Sequence, residues 1–266
     1  MADRRNRIAI KSKKESRQFL IIVLVVLALF VISSVMTKYK PWELLMNMDN
    51  FWLFIRDDLM PPKLAEPNMI VKGIFQTVSM AIAATLFATI TSMILAFLGA
   101  KATCPWKPLR KIVRLIASVQ RNIPNMIWIF VLIMAFGIGS VVGMLALLIQ
   151  STGFLTRAFI ETIDEIGDES LEAMQSVGAN RFTTTTQAII PECLAGVVSW
   201  ILYALEINIR SSTLVGAVGG GGIGLVMMGY IKLFRYHSAM ATILLVAMIV
   251  IVVDLLTNFL RKKVLV

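Results

Sequence analysis

Long stretches without any charged side chain limit what this chain can fold into. Residues 19–36, 73–100 and 122–156 contain no Asp, Glu, Lys or Arg. A helix of about 20 apolar residues crosses the hydrocarbon core of a bilayer, so each stretch is long enough to span a membrane. Of the 266 residues, 58% are apolar and only 16% are charged, which is unlike a water-soluble domain. The sequence therefore predicts an all-α, polytopic protein embedded in a lipid bilayer.

We predict about six transmembrane helices. The stretch 122–156 is too long for one span and too short for two. Two helices fit if the chain bends within residues 136–140, which include two glycines, and if the third span begins near Leu115. The six predicted spans then have these approximate limits: 19–36, 73–100, Leu115 to the bend, the bend to 156, 194–215 and 239–260.

Two segments that connect the predicted spans are expected to contain local structure. Residues 38–67 are mixed in charge and rich in aromatic side chains, so we predict an outer loop with a short helix at the membrane interface. Residues 219–222 are consecutive glycines, and each glycine inside a helix costs ~1 kcal/mol relative to alanine. We therefore predict a broken or re-entrant backbone at the glycines, followed by an interfacial piece at 225–236.

The positive charges lie in short segments beside the predicted spans. The formal net charge is +10, and Lys and Arg are concentrated in residues 1–18 and after the second and sixth spans. Because basic loops stay on the cytoplasmic side, we predict cytoplasmic N and C termini, with 1–18 as a basic tail before an uncleaved anchor. A cleaved signal peptide is the alternative for this end. Orientation accounts for the charge, so we expect no nucleic acid partner.

Several kinds of chemistry find no support in the sequence. Cys104 and Cys193 both fall in segments assigned to the cytoplasm, so we expect no disulfide. His237 is the only histidine, and we predict no metal site and no cofactor. The glycine run formally fits G-x-G-x-x-G, but no strand precedes it, and no G-x-x-x-x-G-K-[ST] pattern occurs. The chain is therefore predicted to be no enzyme and to lack an ATP-binding loop of its own.

Residues 161–191 form the one long polar stretch between apolar segments. Its acidic residues recur at helical intervals, which predicts a helix with an acidic face. Gly178 can adopt the positive φ that ends a helix, Asn180 can cap the next one, and Pro191 suits the first turn of the following span. We predict a helix, a sharp bend and a second short helix on the aqueous side. A solvated connector without a partner is the alternative.

The motif Glu172-Ala173-Met174, followed by Gly178 and Pro191, resembles the "EAA" loop through which permeases of ABC-type importers bind their ATPases. Met174 replaces the second alanine of that pattern, and Ala188 and Ile190 stand where Ile and Leu are usual. The resemblance implies an ATPase-docking role for these residues: Glu165, Asp168, Glu169, Glu172, Ala173, Gly178, Ala179 and Pro191.

Two further segments resemble permeases of the phosphonate import family. They are residues 206–224, with the glycine run at their end, and the Arg121-x-Ile123-Pro124 element. With the docking loop, the similarity covers roughly residues 70–260, although the threonines at 183–186 depart from the bulkier, more basic sequence expected there. Related permeases for methionine and other solutes share much of this layout, so another small solute remains the alternative substrate.

The family resemblance implies a type I ABC importer. The whole chain, 1–266, would be a single permease domain in the bacterial inner membrane. Its partners would be a second permease copy, two ATP-binding subunits and a periplasmic substrate-binding protein. Phosphonate or a related phosphorus oxyanion would be translocated, with ATP hydrolysis supplied by the partner subunits.

Candidate pathway residues cluster on the fifth span. Glu206 and Arg210 are four residues apart, so they can pair on one helix face. Arg210 and the neighbouring hydroxyls could contact an anion, or the pair could only fix the rotation of the helix. Arg121 could border the pathway or an inner gate, or extend to the headgroups. The predicted pathway and gate residues are Arg121, Pro124, Glu206, Asn208, Arg210, Ser211, Ser212, Thr213, Gly219, Gly220, Gly221 and Gly222.

Two other classes of protein compete with the importer. A secondary transporter would show inverted repeats with paired broken helices, whereas we find one glycine break and no repeat. A membrane-embedded enzyme would need carboxylates, histidines or a nucleophile at membrane depth. Here the acidic residues gather instead in the polar stretch 161–191.

Overall fold

The computed structural model describes residues 13–264, with the side chains of 13–16, 41, 44, 45, 167–171, 173, 175 and 181 excepted. Most of the predicted basic tail thus lies outside the described residues. The chain divides into two units, Met1–Asp57 and Asp58–Val266. All regular structure in the described part is helical. The all-α prediction is confirmed.

The first unit contains a long apolar helix and two short ones. Helix α1, Lys13–Met36, is long and apolar enough to cross a membrane, which confirms the first predicted span. Helices α2, Pro41–Met46, and α3, Met48–Leu53, follow, and a π-helical segment, Phe54–Leu59, begins where α3 ends. The short helical structure predicted within 38–67 is therefore present.

The second unit is built around the packing of small residues on helix α4, Pro67–Gly99. Ala81, Ala84 and Ala88 are fully buried, and small side chains let membrane helices approach closely. Two hydrogen bonds tie α4 to the long helix α7, Ser140–Ser176. Ser92 Oγ donates to the carbonyl oxygen of Thr152 over 3.0 Å, and the hydroxyls of Thr91 and Thr152 lie 3.2 Å apart.

The third predicted span is wrong at its beginning. Leu115 lies in the middle of helix α5, Lys107–Asn122, which ends before a 90° bend into helix α6, Asn125–Phe136. Pro124 lacks the N–H that would continue the helix, and it pushes Ile123 into an extended conformation, with φ −82° and ψ 120°. The chain therefore turns at this proline instead of crossing the membrane as one helix.

The bend predicted within 136–140 is confirmed. Helix α6 ends at Phe136, Gly137 has a positive φ of 81°, and α7 begins at Ser140. Helix α7 then continues for 37 residues, through the fourth predicted span and into the acidic stretch. The polar segment is thus the extension of a spanning helix, because nothing between 156 and 176 breaks the helical hydrogen bonding.

The remaining helices complete the unit. A short helix α8, Arg181–Thr184, and a π-helical segment, Thr185–Ile189, lead into α9, Ile190–Val215. The fifth and sixth spans are confirmed by α9 and by α11, Tyr236–Val264. Between them lie a second π-helical segment, Gly216–Gly220, and helix α10, Gly222–Lys232. The predicted break in the glycine run is present at Gly219, whose φ is 117°.

Helix α10 is anchored at its first residues and at Tyr230, whereas Leu225 and residues 231–235 are exposed. The interfacial position predicted for 225–236 stays a prediction. Ile223 and Tyr230 are buried, and the Tyr230 hydroxyl donates to the Ala65 carbonyl oxygen over 2.8 Å. Five of the described helices are long and apolar enough to span a membrane, or six if α5 and α6 form one broken span. This agrees with the prediction of about six.

The two cysteines, Cys104 and Cys193, are both free and buried.

Candidate docking segment and translocation pathway

The end of helix α7 displays acidic side chains to the solvent. Glu161, Glu165 and Glu172 are exposed, and Glu161 Oε1 accepts a 2.7 Å bond from Nε of Arg157, one turn earlier. Asp168, Glu169 and Ala173 belong to the same helix, but their side chains lie outside the described residues. The described glutamates form an exposed face suited to contact with another protein.

A glycine turn closes this helix as the sequence predicts. Gly178 has a φ of 80°, the left-handed conformation that favours glycine. The N–H of Ala179 donates to the carbonyl oxygen of Met174 over 3.0 Å, and Oδ1 of Asn180 accepts a 2.8 Å bond from the N–H of Thr183. Pro191 lies in the first turn of α9 and is exposed. These local features are confirmed, whereas their docking role stays a prediction.

Sequence reasoning missed Asp164, which joins α7 to its neighbours. Its Oδ1 accepts the backbone N–H of Lys101 over 2.6 Å, and its Oδ2 lies 2.6 Å from Nη2 of Arg114. Nε of Arg114 also donates to the carbonyl oxygen of Gly99 over 3.0 Å. The sequence signal for it is its place in the acidic stretch, three residues after Glu161. Its partners are 50 or more residues away, so the sequence alone did not reveal them.

Glu206 and Arg210 form the predicted pair on α9. Arg210 Nη2 lies 2.9 Å from Glu206 Oε1. The two side chains differ in their surroundings, because the Arg210 side chain is 58% exposed and the Glu206 side chain only 10%. The pairing is confirmed. A guanidinium is thus held on the outer surface of the described unit by a carboxylate that lies inside it.

Two other residues of the predicted pathway point into the helix bundle. Asn208 is buried, and its side chain joins three helices by donating to Oγ1 of Thr85 over 2.9 Å and accepting from Oγ of Ser151 over 2.8 Å. Ser212 is fully buried and donates to the carbonyl oxygen of Ile209 over 2.7 Å. Buried polar groups require partners, so these bonds favour a packing role. Ser211 and Thr213 are partly buried.

The glycine run brings backbone segments into close contact. A Cβ on Gly143 of α7 would collide with the carbonyl oxygen of Gly220, and the N–H of Gly139 donates to the carbonyl oxygen of Gly219 over 3.1 Å. Gly221 and Gly222 both have positive φ and are buried. This segment therefore packs closely against the beginning of α7.

Helix α4 supplies partners to the start of α10. Oε1 of Gln76 accepts the N–H of Gly222 over 3.0 Å, and Oγ1 of Thr77 accepts the N–H of Ile223 over 2.8 Å. Both α4 residues were missed, because no local pattern links them to a segment 146 positions away. The first two amides of α10 are thus satisfied by side chains of α4.

Arg121 and Pro124 mark the bend between α5 and α6. Arg121 is exposed in the last turn of α5, and exposed Pro124 precedes the first residue of α6. Gly153 of α7 lies against this end of α5, where an added Cβ would meet Cβ of Gln120 at 2.6 Å. The bend is therefore packed against α7. Arg121 belongs to α5, whereas Glu206 and Arg210 belong to α9.

Comparison with known proteins gives a consistent result. A family model described as "Binding-protein-dependent transport system inner membrane component" matches residues 92–266. The phosphite transport system permease protein PtxC of Stutzerimonas stutzeri is 30% identical over 77% of this chain and 74% of its own length. HtxC of the same organism, which carries the provisional name of a phosphite transport system permease protein, is 29% identical over 91% of this chain and 85% of its own.

A solved structure shows the same architecture. A chain of the MetNI methionine ABC transporter, in an inward-facing conformation, matches with a TM-score of 0.67 and 20% identity. The match covers 76% of this chain and 99% of that one. It confirms the predicted fold of a type I ABC importer permease. The chain therefore belongs to the family of binding-protein-dependent transport system inner membrane components, the multi-pass permease subunits of ABC importers, as its sequence motifs implied.

Proposed function

We propose that this chain translocates a phosphorus oxyanion, such as phosphite or a phosphonate, across the bacterial inner membrane. Two copies of the chain would form the pathway, and two ATP-binding subunits would drive it from the cytoplasm. A periplasmic binding protein would deliver the anion. The phosphite permeases among its relatives support the substrate class. Membership of the permease family supports the assignment of substrate delivery and ATP hydrolysis to separate partner proteins.

The observation that carries this proposal is the exposure of Arg210. Its side chain is 58% exposed on α9, a helix within the 39-residue apolar segment Phe182–Gly220. Placing a guanidinium in the hydrocarbon core of the membrane costs free energy. Arginines within spans therefore face protein or a water-filled path. The surface around Arg210 would therefore line the pathway, with the second copy closing it from the other side.

The chemistry of Arg210 suits a phosphorus oxyanion. A guanidinium offers paired N–H donors that match two oxygens of a phosphonate or phosphite group. Glu206 already occupies one of these donors, at 2.9 Å. A passing anion would thus compete with a fixed carboxylate. This competition keeps the binding weak enough for release.

The docking segment would couple ATP hydrolysis to this pathway. Closure of the ATP-binding subunits would move the exposed face of Glu161, Glu165 and Glu172 together with the Gly178 turn. Because the acidic face is part of the same helix as the fourth span, the movement would reach the membrane without an intervening hinge. This arrangement requires the docking segment to be cytoplasmic. Spans α9 and α11 would then return the C terminus to the same side, and a single crossing by the α5–α6 segment would place the N terminus there as well.

Uptake by reconstituted vesicles tests the proposal. The chain is assembled with its ATP-binding subunit and its binding protein, and ATP is enclosed on the docking side. We expect uptake of labelled phosphite or methylphosphonate that requires ATP and the binding protein. Uptake of methionine in place of the anions would favour the alternative substrate. Uptake driven by an ion gradient without the ATP-binding subunit would contradict the importer mechanism and favour a secondary transporter.

A further inference from the structure

Helix α5 presents three distinct surfaces. Val113 and Ala117 are buried on the first surface, which packs against α7. At 3.6 residues per turn, the apolar side chains that remain exposed form a second stripe. These are Ile112, Leu115, Ile116 and Val119, which are between 44% and 65% exposed. The third surface is a polar stripe beside the apolar one, formed by Lys107, Lys111, Arg114, Ser118 and Arg121.

The direction of α5 fits the surface of a membrane. It is bent by 90° from α6, an apolar helix of 12 residues. If α6 runs along the membrane normal, α5 lies in the membrane plane. Trp106, immediately before α5, is 66% exposed, and tryptophan is enriched at the level of the lipid headgroups.

We infer that α5 is a membrane-surface helix that binds acidic phospholipids. Its apolar stripe would enter the boundary of the acyl chains, while the basic stripe would contact headgroup phosphates. The charge of the stripe selects acidic lipids over neutral ones. The presence of Arg121 in this stripe favours the headgroup alternative over a gate for that residue.

A groove between α5 and α7 would hold the headgroup phosphate. Arg114 and Ser118 of the basic stripe line it together with Arg157 and Glu161 of α7. Within the described part of the chain, Arg157 donates through Nε, toward Glu161, and Arg114 donates through Nε and one Nη. Guanidinium N–H groups therefore remain for phosphate oxygens, and the Ser118 hydroxyl supplies a further donor.

This inference goes beyond the proposed function, because lipid binding can be measured without transport. The test variant replaces Lys107, Lys111 and Arg121 with Gln. All three side chains are exposed. The control variant replaces Lys63, Lys72 and Lys232, also exposed basic residues of the same unit, with Gln. Both variants lose the same charge, and only the first loses it from α5.

Each assembled transporter is purified from vesicles of mixed phosphatidylglycerol and phosphatidylcholine, and the retained lipids are quantified by mass spectrometry. We expect enrichment of phosphatidylglycerol on the wild type and on the control, reduced at high salt. In the α5 variant, the enrichment of phosphatidylglycerol should fall by about fivefold or more. Equal enrichment of both variants would overturn the inference. So would displacement of the lipid by excess inorganic phosphate, which would identify a site for the free anion.

A second measurement examines the position of α5 directly. Spin labels are attached at Leu115→Cys and, separately, Lys111→Cys in vesicles, since native Cys104 and Cys193 are buried. We expect the Leu115 label to be accessible to oxygen, which concentrates in lipid, and the Lys111 label to a water-soluble nickel complex. A Leu115 label accessible to neither reagent would show that a protein partner covers the stripe, and one accessible to nickel would place it in water. Either result would overturn the inference.

Discussion

Asp164 and Arg114 connect helix α7 to helix α5 through an ion pair of 2.6 Å between Oδ2 and Nη2. The carboxylate is only 17% exposed, and its other oxygen accepts the backbone N–H of Lys101. One side chain thus holds both α5 and the loop before it. It does so where α7 passes from its apolar part into the proposed docking segment.

Replacing Asp164 by Ala should destabilise the protein by about 2 kcal/mol, because two short bonds to a carboxylate are lost. The matched control is Glu161→Ala. That residue pairs with Arg157 at 2.7 Å, but both side chains are about half exposed, at 59% and 48%. Such surface pairs contribute roughly 0.5 kcal/mol. Thermal unfolding in detergent measures both variants, and equal shifts in Tm would refute a special role for Asp164.

Replacing Gly178 by Val should reduce uptake by roughly tenfold, since a left-handed φ costs such residues about 1–2 kcal/mol. A Cβ at Gly178 would meet no atom within 4 Å, so crowding plays no part. Gly178→Asn is the control, because asparagine tolerates this φ. Membrane insertion should be unchanged in both. Wild-type uptake by the Val variant would eliminate the proposed role of the turn in transmitting movement.

Replacing Arg210 by Gln should lower uptake of phosphite or phosphonate by about ten- to hundredfold, because charged hydrogen bonds to the anion are lost. Arg210→Lys keeps the charge without the paired donors and should have an intermediate effect. The binding protein and the ATP-binding subunit stay unchanged in the vesicle assay. If both variants retained full uptake, the Glu206–Arg210 pair would serve only to fix the helix.

Two glycine-to-alanine changes should have opposite effects on stability. A Cβ at Gly143 would collide with the Gly220 carbonyl oxygen, so Gly143→Ala should lower the Tm and separate α7 from the glycine run. Gly229 lies within α10, with no atom within 4 Å of an added Cβ. Gly229→Ala should raise stability by up to about 1 kcal/mol through helix propensity. A stabilising Gly143→Ala would contradict the close approach seen here.

Local features explain which predictions succeeded. The spans follow from stretches of sequence without charge, and the Glu206–Arg210 pair follows from a spacing of four residues on one helix. The Gly178 turn and the Asn180 cap involve only nearby residues. Pro124 is equally local, but the length of an apolar stretch does not show where a helix is interrupted. The missing N–H of Pro124 separates α5 from α6, so a third span that begins at Leu115 as one helix is wrong.

The sequence by itself determined the helical membrane class, the positions of most spans and the family, because apolar length and motif spacing are properties of the chain. Tertiary structure decided which polar groups meet. Asp164 bonds to Lys101 and Arg114. Asn208 bonds to Thr85 and Ser151. The first amide of α10 donates to a side chain of α4. The physical reason is that a buried polar group must be bonded, while its partner is chosen by the packing of helices distant in sequence.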